Sequence, residues 1–194
     1  FHRPLKSSDA IEALHARFLA QGTAPTHLYT SPLTRAHETA RVAARCWALP
    51  ITPWEDLQEY DVGIFSGLTW DEIRWRHPDA AAGFEQTRDW DRVPRAEPAA
   101  DRAARGLRVV ETLIERHADG DRVVLFTHGG MLQHILAALL GTRRTWGFAA
   151  GNTAIFELEI DRGAWCNEHA AGTGVSSFKV LAFNDTAHLA TAGA

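Results

Sequence analysis

The chain has 194 residues, 45% hydrophobic and 23% charged, which suits a globular protein able to bury one sizeable core. Its 20 basic and 24 acidic residues are interspersed at a formal net charge of -4, so no basic stripe tracks a nucleic-acid backbone and an anionic ligand must be met by local groups. No apolar run reaches the length of a membrane span, residues 1–6 hold no apolar leader, and Cys46 and Cys166 fit no C-x-x-C spacing, so the expectation is one cytoplasmic domain over residues 1–194.

Ile11, Leu14 and Phe18 recur at helical spacing behind Asp9, a residue suited to an N-cap, and predict a helix over residues 10–20 that stops near Gly22. A short strand follows over 26–30. Ser31-Pro32 reads as a helix start, with a capping hydroxyl and a proline whose missing N–H costs nothing at the first position, and predicts a helix over 33–46. Residues 51–54 suit a second strand, and 55–67 an acidic, glycine-containing loop.

Residues 68–100 carry Trp70, Trp75 and Trp90 together with Pro78, Pro94 and Pro98, a pattern of short helices packed over the rim of a site. Packing in the core and stacking on a ligand are both open to the tryptophans. Ala103, Leu107, Val110 and Ile114 share a helical face that ends near Gly120, and the apolar run 123–126 follows as a buried parallel strand. Gly129-Gly130 breaks that strand before an apolar helix over 131–140. Ala154, Phe156, Leu158 and Ile160 alternate with polar residues as in a half-buried strand, with 178–183 as its partner. Strand-then-helix units in this succession give an α/β fold: a three-layer sandwich with a mostly parallel sheet and helices on both faces.

Three local motifs carry chemistry. In Ser31-Pro32-Leu33-Thr34-Arg35-Ala36 an arginine enters the first turn of a helix directly after a strand, on the rim where open α/β sheets bind ligands. Its guanidinium fork suits a phosphoryl group, although an ordinary surface arginine fits the same position. In Glu59-Tyr60-Asp61-Val62-Gly63, continued by Ser66-Gly67-Leu68-Thr69 and Glu72, a carboxylate becomes a general acid if burial raises its pKa; otherwise the loop is simply solvated. In Thr127-His128-Gly129-Gly130 a histidine closes the apolar strand, placed either to donate to a phosphoryl oxygen or to finish the strand structurally. His134, farther along the next helix, reads as packing or surface.

Together and in this order the motifs resemble the histidine phosphatase superfamily, the phosphoglycerate-mutase-like branch. The resemblance runs through Ser31 to Ala36 with Glu38-Thr39-Ala40, through Leu57, Glu59 and Gly63, and through His128-Gly129-Gly130. Further likeness lies at Gly151-Asn152-Thr153 and at residues 184–189. It implies a phosphoglycerate-mutase-like fold and hydrolysis of a small phosphorylated metabolite through a phosphohistidine. Arg35 and His128 would steady the phosphoryl oxygens beside Gly129, and Glu59 would act as acid and then base. Mutase-type phosphoryl transfer is the nearest alternative, and a non-catalytic phospholigand-binding protein the next. Neither metal nor cofactor is implied, and none of the ten histidines falls in a His-Glu-x-x-His spacing.

The family's nucleophile lies in an Arg-His-Gly tripeptide closing an early strand, and these 194 residues contain no such tripeptide. His2 lacks both the preceding arginine and the strand, and Arg3-Pro4-Leu5 resembles the segment that follows the motif. Because such a strand belongs in the sheet interior, where unpaired edges are costly, the expectation is a short apolar run ending in Arg-His-Gly upstream of Phe1.

Overall fold

The computed structural model describes residues 8–22, 24–142, 144–145, 150–165 and 178–190; the readings made on residues 1–6 and on Cys166 lie outside these. Helix α1 (Ser8–Ala20) leads to strand β1 (His27–Thr30), α2 (Thr34–Ala43) and β2 (Ile51–Pro53). Two short helices, α3 (Trp70–Arg76) and α4 (Pro78–Thr87), precede the long α5 (Ala99–Arg116), and β3 (Val123–Phe126) feeds α6 (Gly129–Leu139). Strands β4 (Ile155–Ile160) and β5 (Phe178–Asp185) and the short α7 (Ala187–Ala190) complete the described elements.

β1 is the central strand of a parallel sheet, flanked by β2 and β3. Side chains alternate across it as a pleated strand demands. Leu28, Val124 and Phe126 turn toward α1 and α2, where Ile11, Leu14, Phe18, Ala40 and Ala43 are buried. Tyr29 and Leu125 turn the other way, toward Val109 and Val110 of α5 and Met131, Ile135 and Leu136 of α6. Helices therefore cover both faces, and the layers are those of the expected sandwich. Each fully buried Leu, Val or Met in these clusters contributes about 1.5–3 kcal/mol by leaving water. A third cluster, Phe65, Ile73, Ala81, Phe84 and Val93, holds the lobe formed by α3 and α4.

β4 and β5 pair with each other, antiparallel and with a register shift around Glu157. Among the described residues no ladder joins β4 to β3. Between them lies a cavity of about 650 Å³, walled by β3 on one side and by Ile155, Phe156 and Leu158 of β4 on the other. It runs the length of β3, from the turn at 118–122 to the sheet edge that carries Arg35 and His128.

Several local expectations are corrected. Asp9 lies within α1, where it accepts from the Ser8 hydroxyl, and does not cap it. α2 begins at Thr34 behind Leu33 with no side-chain cap, and it ends at Ala43. Ser31 is spent elsewhere. The glycines at 129 and 130 do not separate strand from helix, since they are the first residues of α6. The buried face of α5 is Arg102, Arg105, Gly106, Val109 and Val110, whereas Leu107 is 36% exposed. The helix is rotated from its apolar pattern because its two buried arginines are neutralised by Asp91 and Glu97, and because Gly106 lets α6 approach. A side-chain carbon at Gly106 would stand 2.6 Å from the His134 carbonyl oxygen, so α5 and α6 meet there backbone to backbone.

Candidate active site

The three parallel strands end on one edge, and the chain leaves that edge twice through a residue that faces the cavity. After β1 it passes through buried Ser31 and enters α2, whose second residue is Arg35. After β3 it passes through Thr127 to His128, the residue that precedes α6. The two exits are tied together: His128 Nε2 lies 2.8 Å from Ser31 Oγ, which also accepts from the Leu33 N–H at 3.2 Å. Burial, and then the positive charges of Arg35 and Arg105, hold His128 down at about 4, so its ring is neutral at neutral pH.

Glu59 reaches the same edge from the loop after β2. Its Oε1 accepts from Met131 N at 3.0 Å and Tyr60 N at 3.2 Å, and its Oε2 from Gly130 N at 3.1 Å. The unpaired N–H groups at the start of α6 are thus satisfied by a carboxylate. Burial pushes the Glu59 carboxyl above its ordinary value; the three N–H donors and Arg35 pull the other way, and burial prevails. Such a carboxyl exchanges a proton more readily near neutrality than a solvated one. Gly130 is required here, because a side-chain carbon at that position would collide with the Tyr60 ring and the Glu59 carboxylate. Gly129 lines the cavity beside Ala150.

Arg35, Glu59 and His128 therefore border one cavity. Gly151, Asn152 and Thr153 border it as well, and their loop is fastened to the chain's end: Gly151 N donates to Asn184 Oδ1 at 2.9 Å and Thr153 Oγ1 lies 3.0 Å from His188 Nε2. The two late stretches of family likeness are thus one structural unit.

Other residues of the motifs do different work. Asp61 accepts from Gly63 N and Ser66 Oγ and shapes a turn. Glu72 closes a capping box with Thr69 at the start of α3. Trp70 and Trp90 pack with Phe65 and Phe84, but Trp75 is 80% exposed, and none of the three tryptophans borders the cavity. His134 is half-buried against Tyr60, in keeping with packing.

Two residues contribute to the site in ways the motifs do not reveal. Ser31 is read from sequence as a cap, yet its hydroxyl meets His128. Arg105, 11% exposed, grips Glu97 with two donors and gives a third to the Gln58 carbonyl at 2.6 Å, which fixes the backbone directly before Glu59. Thr127 adds a bond to the Leu57 carbonyl at 2.8 Å. No local signal marks Arg105, because the apolar pattern of α5 assigns it to solvent and only its pairing with Glu97 lets it be buried.

An α/β sandwich with arginine, carboxylate and histidine gathered at the carboxyl edge of its strands places them where open α/β folds bind ligands. Residues 6–171 match the Histidine phosphatase superfamily (branch 1), and the chain belongs to that family. It is 32% identical over 122 residues to a metal-independent phosphoserine phosphatase of Arabidopsis thaliana, covering 62% of this chain and 51% of that protein. It is 31% identical over 155 residues to a 2,3-bisphosphoglycerate-dependent phosphoglycerate mutase of Methylorubrum extorquens, covering 73% and 71%. The chain spans about half the length of the first of these curated relatives. In three dimensions it resembles a mycobacterial glucosyl-3-phosphoglycerate phosphatase solved with inorganic phosphate, with a TM-score of 0.69, 26% identity and coverage of 92% and 86%.

Proposed function

We propose that this protein is a metal-independent phosphomonoesterase that works through a phosphohistidine on a small phosphorylated metabolite, in the cytoplasm. The observation that carries the reading is the convergence of Arg35, neutral His128 and buried Glu59 on one cavity at the carboxyl edge of the sheet. The names of the Arabidopsis and mycobacterial relatives support the substrate class.

In this reading Arg35 grips two phosphoryl oxygens through its planar fork, and His128 donates to a third. A histidine nitrogen attacks phosphorus in line, the P–O bond to the leaving group breaks, and Glu59 gives its proton to the departing alkoxide. Glu59, now a carboxylate, takes a proton from water as that water attacks the phosphohistidine, which restores the histidine and releases inorganic phosphate. The raised Glu59 pKa fits the first step and its three N–H donors fit the second, since each favours one protonation state.

The family resemblance puts the nucleophile in an Arg-His-Gly at the end of a strand. The cavity between β3 and β4 has the length of β3 and opens on Arg35 and His128, so a strand paired there would deliver its last residues to the phosphate. The test is to feed a labelled phosphoester to the product of the full open reading frame and to residues 1–194 alone. An acid-labile, base-stable phosphoprotein from the full product alone supports the reading; a reading frame without a histidine in that place leaves a phospholigand-binding protein. The Methylorubrum relative favours mutase-type transfer as a second reading, and release of free phosphate instead of an isomerised phosphoester decides between them.

A further inference from the structure

The opposite, amino-terminal edge of the sheet gathers a second group of side chains. His27 is the first residue of β1, His117 closes α5, and Asp121 lies in the turn before β3. One donor atom from each falls within 4.8 Å of the others. The imidazole rings of His27 and His117 stand edge to face at 4.4 Å.

The hydrogen bonds around the group allow a ring nitrogen of each histidine to serve as a ligand. The Thr26 hydroxyl donates its single proton to the Arg122 carbonyl at 3.1 Å, and it accepts from the Arg122 N–H. It can therefore only accept from His27 Nδ1, 2.9 Å away, so Nδ1 carries the proton and Nε2 is a free lone pair. On His117, Nε2 lies 3.2 Å from the Tyr29 hydroxyl oxygen, a partner that can accept from Nε2–H. The His117 side chain is only 8% exposed, and the nearest polar partner of its buried Nδ1 is Asp121 Oδ2 at 3.4 Å, too poorly aligned to make a good hydrogen bond. A buried nitrogen so weakly satisfied gains from any ligand that binds it more closely. Asp121 is itself held, with Oδ2 accepting from Ala118 N at 3.0 Å.

We infer that His27 Nε2, His117 Nδ1 and Asp121 form a binding site for one divalent transition-metal ion, zinc being the best match. Two imidazoles and one carboxylate are a zinc ligand set that leaves a fourth position for water, and His117 and Asp121 already have outer partners, the Tyr29 hydroxyl and the Ala118 N–H. Bonds of about 2.0 Å require donor atoms roughly 3.3 Å apart in a tetrahedron, which a rotation of the exposed His27 ring toward the other two supplies. Ligands from the start of a strand, the end of a helix and a turn would clip these elements together at the edge remote from the phosphate. The ion thus has a structural role and takes no part in the chemistry proposed above.

The experiment uses the full-length protein stripped with chelator, then titrated with Co²⁺ as a spectroscopic probe and with Zn²⁺ in a calorimeter. One equivalent of Co²⁺ should give the intense visible bands of a tetrahedral ion, Zn²⁺ should displace it, and Zn²⁺ should raise Tm. Because His117 is buried and its loss threatens folding, the decisive variants are the more exposed His27→Gln and Asp121→Asn. Each should weaken Zn²⁺ binding at least tenfold and abolish the Tm rise, while His37→Gln should change neither. Stoichiometric binding that survives His27→Gln and Asp121→Asn unweakened, a weak octahedral-type Co²⁺ spectrum, or no binding below millimolar Zn²⁺ would each overturn the inference.

Discussion

Both edges of the parallel sheet gather histidine, and their charges are of opposite sense. At the carboxyl edge His128 has two arginines for neighbours, Arg35 and Arg105, and both press it toward the neutral form. At the amino edge His117 faces Asp121 and the ring of His27. Guanidinium groups with a neutral imidazole invite an anion, while imidazole lone pairs with a carboxylate invite a cation. The residue type is shared, and the sign of the ligand is set by what the neighbouring elements bring to it.

The carboxyl edge depends on a buried ion pair behind it, and the largest effect is expected there. Arg105→Met leaves Glu97 unpaired and the Gln58 carbonyl without its donor, which should cost about 3–5 kcal/mol of stability, measured by denaturant unfolding. A loss under about 1 kcal/mol would mean that the pair does not hold the Glu59 loop. Next, Arg35→Lys should lower kcat/KM about a hundredfold, near 3 kcal/mol, because a point charge cannot reproduce a two-pronged grip. Wild-type kinetics in that variant would remove Arg35 from the site. Glu59→Gln should slow substrates that leave as alkoxides by roughly the same factor and spare a nitrophenyl phosphate, whose leaving group needs no proton. Equal damage to both, with phosphohistidine hydrolysis shown not to limit either, would make Glu59 a positional group.

The smallest of these effects is a pH dependence of stability. His128 and His134 are both held at about 4 in the fold, below their ordinary value of 6.5, so the folded protein binds fewer protons than the unfolded chain between those values. Their contribution is present above about pH 6.5 and lost as pH falls toward 4, on the order of 1–2 kcal/mol each after solvent screening. His128→Asn should flatten part of that slope in a urea-unfolding series, and an unchanged slope would contradict the burial of its neutral ring. Glu59 acts in the opposite direction, since a raised carboxyl pKa favours the fold at low pH and loses that advantage as pH rises.

Much of this layout is legible in the sequence because it depends on local patterns. The run 123–126 reads as a buried parallel strand and is parallel, but only Phe126 is fully buried because Val123, Val124 and Leu125 line the cavity. The pairing of β4 with β5 follows from the alternation in 154–160 and its partner segment 178–183. Arg35, Glu59 and His128 are found because each adjoins a strand or a glycine-marked turn. What escapes is non-local. Ser31 and His128 are 97 positions apart and Arg105 reaches Gln58 across 47, so no window contains either pair. The rotation of α5 escapes for a related reason: a burial pattern built on apolar residues assigns charged Arg102 and Arg105 to solvent, and only Asp91 and Glu97 allow them inside. The cluster of His27, His117 and Asp121 likewise joins three elements, and although His117 and Asp121 are four residues apart, His27 is remote from both in the chain.

The contrast between the two edges is tested most directly by following the imidazole resonances of the full-length protein through a pH titration, with and without inorganic phosphate. With phosphate bound beside Arg35, the His128 pKa should rise from about 4, because the anion offsets the positive charges that depress it; Arg35→Ala should abolish the rise, and His27 and His117 should not respond. A His128 resonance indifferent to saturating phosphate, or a phosphate response confined to His27 and His117, would contradict the assignment of the anion site to the carboxyl edge.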